Sequence, residues 1–138
     1  MYTTVKTRKI CDVFYRKDIV NLYSTAIHEV LHFIWFDKFG ELFPEIPKNE
    51  YNGEENLAWH LSEIVPGVIL NDKRLQKIFE HKHTSYQCYY DTEIDGISLM
   101  IHIQNLYDSR TGFEDFVRKS WEFVQKHKEQ ILSSTMSE

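Results

Sequence analysis

Apolar side chains wrap almost all the way around one long run. Advancing about 100° per residue, Ile19, Val20, Leu22, Tyr23, Ala26, Ile27, Val30, Leu31, Phe33 and Ile34 cover most directions of a helix. The pattern predicts a helix from about Ile19 to Phe39, with Asp18 as N-cap and Gly40 as stop. Residues 40–53, "GELFPEIPKNEYNG", gather two of the three prolines and two glycines, and read as a loop. A second helix is expected from about Glu54 to Val65, with Asn52 or Gly53 near its cap and Pro66-Gly67 ending or kinking it. "VILNDKRLQKIFEHKH" continues helically after that break.

The rest alternates less cleanly. Residues 3–16 suit one short strand or an irregular lead-in. In "TSYQCYYDTEID", residues 84–95, the tyrosines favour a strand. Gly96–Tyr107 reads as a helix, with a strand as the second choice, and "DSRTG" as a turn. A last helix, Phe113 to about Leu132, buries Phe113, Phe116, Val117, Trp121, Val124 and Ile131, and turns Arg118, Lys119, Glu122, Lys126 and Glu129 to solvent. The expected fold is mainly α, with a small sheet possible (α+β). The first helix packs on the second and on the long C-terminal one, in a single domain spanning residues 1–138.

Composition narrows the class. A chain of 138 residues, 42% hydrophobic, can bury one real core. A net charge of −5 argues against nucleic acid and anionic membranes as partners, since both select basic patches. No apolar run is long enough to span a bilayer. The opening "MYTTVKTRKICDVFYRKD" is punctuated by charge, without the apolar stretch of a signal peptide, so a cytoplasmic location is expected. Cys11 and Cys88 are far apart and outside any CxxC pattern, which suits free thiols in a reducing compartment.

Against this background one stripe on the first helix stands out. His28 and His32, four residues apart, share a side with Asn21 and Thr25, with Glu29 at its edge. No Lys or Arg occurs between Asp18 and Asp37, so the stripe lacks the residues of a solvated face. A polar strip flanked by so much apolar surface is expected to be buried or to line a cleft. Buried imidazoles need partners, and a divalent metal supplies them.

The string His28-Glu29-Val30-Leu31-His32 is HExxH. Two imidazoles on one helical side hold Zn²⁺ from one direction and leave the opposite hemisphere open. Glu29 is then placed to act as general base toward a water that the ion activates, and to pass the proton on to a departing amine. A catalytic zinc usually has three protein ligands. No third histidine follows at the HxxGxxH spacing, so the ligand is sought on the second helix, "GEENLAWHLSEIVPG". Glu63 is the first choice; Glu54, Glu55 and His60 are the alternatives.

With these residues the chain resembles the small zincins, and specifically the gluzincin-type metallopeptidases, over roughly residues 18–72. The resemblance implies a peptidase with one zinc at the floor of a cleft and a peptide or protein substrate. It also implies an upper β-sheet whose edge strand aligns that substrate. Two features depart from the family: the Asn-Glu and Ser-Asp signature around the third ligand is not readable, and the segment before the helix is too short for a full sheet. A non-catalytic regulatory or interaction module that keeps a metal is the other reading.

Further residues invite roles. His81 and His83 could be ligands, but alternating with charge beside Lys82 they look like a solvated helix end. His102 reads as a core histidine that could face a reacting oxyanion. Tyr86, Tyr89, Tyr90 and Tyr107 are candidates for the same task. Asp37 and Asp72 could orient a ligating imidazole. Trp35, Phe36, Phe39, Leu42 and Phe43 form a core cluster, part of which could shape an apolar substrate pocket.

Overall fold

The computed structural model describes residues 2–5, 8–11 and 19–134, with side chains from residue 22 onward. Asp18 and the side chain of Cys11 lie outside the described residues; Cys88 is half-buried. The described chain is mainly helical, with two small antiparallel strand pairs. Strands β1 (Tyr2–Val5) and β2 (Arg8–Cys11) form the first pair, and β2 lies against α1 (Ile19–Leu42). Among the described residues no broad substrate-aligning sheet forms. None of these helices is long and apolar enough to cross a membrane.

Helix α1 runs past the expected stop. Gly40 stays inside it, and the reason is steric: a Cβ there would come within 3.0 Å of the Tyr51 hydroxyl oxygen. The glycine admits the 3-10 turn Lys48–Tyr51 against the helix and does not end it. Leu31, Trp35 and Phe39, each four residues on, point into the core. Phe39 meets Trp121 edge-to-face at 5.0 Å, and Trp35 meets Phe116 at 6.1 Å. Full burial of such rings contributes about 2–3 kcal/mol each, with about 1 kcal/mol more for an edge-to-face pair. These anchors fix the rotation of α1 about its axis, and so the direction of the polar stripe.

Helix α2 (Leu57–Ile64) starts later than the pattern suggests, with Asn56 at its N-cap. Gly53, at φ 94°, turns the chain ahead of it in a conformation that favours glycine. Glu54 and Glu55 therefore precede the helix and are exposed. Seven of the eight α2 residues are buried, all but Trp59. The helix touches α1, α3 (Pro66–Ile69), α7 (Phe113–Lys126) and α8 (Lys128–Leu132). It is the hub of the fold. Pro66 opens α3 at a position that needs no N–H, so it kinks the chain instead of ending it.

Helix α4 (Lys73–Phe79) is capped by the Asp72 side chain, which accepts from the Arg74 N–H at 2.8 Å. The stretch expected as a strand holds α5 (Gln87–Asp91) instead. Next comes a hairpin, β3 (Glu93–Ile94) and β4 (Ile97–Ser98), then α6 (Leu99–Asp108). Asp95 and Gly96, at φ 54° and 79°, make the two-residue turn that joins its strands. The expected C-terminal helix is broken at His127, whose φ of −116° leaves the helical range, and α8 packs Ile131 into the core beside α2.

Candidate metal centre

The anchoring of α1 by Trp35 and Phe39 turns His28 and His32 toward α2. Their rings lie 4.5 Å apart between centroids, and their Nε2 atoms are 2.8 Å apart. Glu63, on the facing side of α2, straddles both. Its Oε1 is 3.4 Å from His28 Nε2, and its Oε2 is 3.1 Å from His32 Nε2. His32 is 1% exposed and Glu63 7%, whereas the His28 side chain keeps 19% of its surface open. The cluster is thus closed by the core on one side and reaches solvent past His28. Of the polar stripe, His32 and Glu29 are buried, Glu29 being 5% exposed, while Thr25 and His28 are half-buried.

Proton arithmetic defines what this cluster lacks. An ionised carboxylate only accepts hydrogen bonds. If both Nε2 atoms carried protons for Glu63, two N–H groups would face each other across 2.8 Å. One proton fits among the two nitrogens, leaving lone pairs aimed at a common point. A cation satisfies all of them. Two ligands about 2.0–2.1 Å from a tetrahedral ion are separated by about 3.3 Å, and the observed separations run from 2.8 to 3.4 Å. His28, His32 and Glu63 could therefore hold a metal ion.

The electrostatics agree with the geometry. Burial opposes the charge on Glu63, yet the two imidazoles bring its carboxyl down to about 2. Burial pushes the Glu29 carboxyl up, while the charges of His32 and His28 act against that rise. Glu29 thus lies within the field of the same cluster.

The alternative ligands lie outside the cluster. Glu54 and Glu55 are exposed, ahead of α2. Glu54, expected at the start of the second helix, is in no helix at all. His60 is buried and donates from Nε2 to the Glu54 carbonyl at 2.7 Å, while its Nδ1 accepts from the Tyr89 hydroxyl at 2.8 Å. Both ring nitrogens are satisfied by the core.

Other histidines divide sharply. His102 donates to the Ile94 carbonyl at 2.8 Å and ties α6 to the β3–β4 hairpin. His81 bonds the Phe79 carbonyl at 2.9 Å. His83, expected on a solvated helix end, is instead half-buried with its Nε2 2.9 Å from His28 Nδ1. The cause is the end of α4, where Glu80 takes the left-handed conformation (φ 58°) and directs the chain back toward α1. Burial, with the neighbouring His28 and His81, lowers the His83 pKa to about 4, so the ring is neutral. Sequence spacing gave no sign of this approach, because residues 80–86 have no periodicity of their own.

Three of the four tyrosines have engaged hydroxyls: Tyr89 with His60, Tyr107 with Asp72, and Tyr90 with the Ser85 N–H. Tyr86 is 47% exposed, and its hydroxyl is raised by burial and by the charges of Glu63 and Glu29. Asp37 is exposed. Asp72 serves Tyr107, Arg74 and Arg110. Of the aromatic cluster, Trp35 and Phe39 are fully buried; Phe36, Leu42 and Phe43 pack against the core from outside. No protein-family model, curated protein or solved structure matches the chain.

Proposed function

We propose that the chain is a zinc-dependent hydrolase, and more narrowly a metallopeptidase of gluzincin-like chemistry. The observation that carries this reading is the convergence of His28 Nε2, His32 Nε2 and a Glu63 carboxylate oxygen within 4.8 Å of one another. Two neutral imidazoles and one carboxylate are the donor set of catalytic zinc sites that keep a position open. Zinc, when bound, supplies Lewis acidity and brings the pKa of a water to about 7.

The chain's own residues do the rest. His28, His32 and Glu63 would hold the ion. Glu29, buried beside them, takes a proton from the attacking water and returns it to the departing amine. Tyr86, half-exposed and in the field of Glu63 and Glu29, is suited to donate to the developing oxyanion. The solvent side of His28 is where a peptide or protein substrate would enter. The net charge of −5 supports such a substrate over nucleic acid, and a cytoplasmic location belongs to the same reading.

Metal analysis of protein purified without chelator gives zinc at one equivalent if the reading holds. Glu29→Gln then keeps the zinc and loses turnover by roughly 10²–10⁴-fold. Peptide cleavage at the wild-type rate by that variant would sink the mechanism. A protein that binds zinc stoichiometrically and cleaves no peptide, with or without Glu29, would instead be a metal-holding regulatory module.

A further inference from the structure

The segment between α4 and α5 brings His83 to the side of the His28 ring turned away from Glu63. His83 Nε2 lies 2.9 Å from His28 Nδ1, and His83 Nδ1 lies 3.4 Å from the Ser24 hydroxyl oxygen. The backbone behind this contact is fastened. Asn71 Oδ1 accepts from the His83 N–H at 2.8 Å, and Asn71 Nδ2 donates to the His83 carbonyl at 2.7 Å. The same Nδ2 donates to the Gly67 carbonyl at 2.8 Å. Gln76 Nε2 donates to the His81 and Leu70 carbonyls, each at 2.8 Å. Two side-chain amides thus hold the loop in place against α3 and α4.

We infer that His83 is a positioning residue that sets the tautomer and the aim of His28. The inference rests on the metal reading for its purpose, though not for its first readout. To offer its Nε2 lone pair to a cation, a neutral His28 must carry its proton on Nδ1, and that proton needs an acceptor. His83 Nε2 is the acceptor in reach. The His83 proton then sits on Nδ1, facing Ser24.

The distances at the cluster favour the same assignment. His32 Nε2 is closer to Glu63 (3.1 Å) than His28 Nε2 is (3.4 Å). The one proton of the ion-free cluster therefore belongs to His32, and His28 Nε2 takes the lone pair. This orienting task usually falls to a carboxylate or a carbonyl. Here a neutral ring performs it, without bringing a further negative charge beside Glu63 and Glu29.

The test uses the full chain. Long-range ¹⁵N–¹H NMR of the metal-free protein locates the His28 ring proton; competition for Co²⁺ against a chelator gives affinity. His83→Gln keeps an acceptor at similar reach, and His83→Phe keeps a ring without one. The expected result is a His28 proton on Nδ1 in the wild type and in His83→Gln, and a shift to Nε2 in His83→Phe. Co²⁺ affinity should fall by 10–100-fold in His83→Phe and stay within about threefold in His83→Gln.

A wild-type His28 protonated on Nε2 would overturn the inference without any variant. So would equal affinity losses in both variants with the tautomer unchanged, or no loss in His83→Phe. If the wild type binds no Co²⁺ while the tautomer shifts as expected, the metal reading fails and the positioning role stands.

Discussion

Among the described residues, the Glu63 and Asp72 carboxyls are both held well below the usual range, by opposite means. Asp72 is surrounded by donors. Hydrogen bonds from Arg74 come first, then one from the Tyr107 hydroxyl at 2.8 Å, with the Arg110 guanidinium 3.5 Å away. Tyr107 in turn is pushed up to about 12 by its burial and by the hydrogen bond it donates to Asp72. Every polar group in that set meets its complement. Glu63 faces two imidazole nitrogens only 2.8 Å apart, with room for one proton between them. The first arrangement is finished as it stands, while the second could be completed by a cation. A depressed carboxylate is therefore weak evidence of a site by itself; the surplus of lone pairs around Glu63 is what distinguishes a ligand cluster from a structural brace.

The same neutralising substitution should have different consequences in the two clusters. Glu63→Gln removes the anionic ligand and should lower metal affinity on the order of 100-fold, about 2.7 kcal/mol, with little loss of fold stability in the metal-free protein. Isothermal titration with zinc, alongside urea unfolding with chelator present, checks both halves. A variant that keeps wild-type affinity would remove Glu63 from the ligand set.

Asp72→Asn should show the reverse. Metal affinity stays unchanged, and stability near neutral pH drops by about 1 kcal/mol as charge-assisted hydrogen bonds weaken. Because the folded Asp72 titrates below its ordinary value of 3.8, its charge stabilises the fold above that value. That contribution is lost as pH falls through the lower folded value. The stability gap between wild type and Asp72→Asn should therefore shrink as unfolding is measured from pH 6 down through pH 4 and below, about where ordinary carboxylates titrate. A gap that widens in acid would contradict the assignment.

The smallest effect concerns the support under α1. Gly40→Ala gains about 1 kcal/mol of helix propensity but crowds the Tyr51 hydroxyl at 3.0 Å. Tyr51 is buried, with its ring stacked on Phe36 at 4.3 Å, and yields little. The net should be a loss of under about 1 kcal/mol in thermal unfolding, with metal affinity intact. A clear gain in stability would show that the contact is slack.

How much of this was legible beforehand follows from the range of the forces involved. The helical stripe of His28 and His32 is a local property, fixed by 3.6-residue periodicity, and so is the apolar surround that buries it. The mainly helical class followed from the same periodicity. Glu63 could be narrowed to a helix because α2 is strongly apolar, but Glu54 remained a rival, because the turn at Gly53 that keeps it out of the helix depends on one backbone angle. The approach of His83 to His28 spans 55 positions in sequence and is built by Asn71 and Gln76 side-chain amides. Such amide latches carry no pattern along a chain. Tyrosines suggested a strand at residues 84–95, where tertiary contacts of Tyr89 with His60 favour α5.

Glu63 rides on the helix around which the other helices are arranged, and that location has a thermodynamic result. A ligand seated on the hub cannot let go of an ion, or take one up, without the whole interior registering it. At fixed free metal, each tenfold gain in affinity adds about 1.4 kcal/mol to the free energy of unfolding. The melting curve of this protein is thus itself an instrument for reading what ion, if any, resides at its centre.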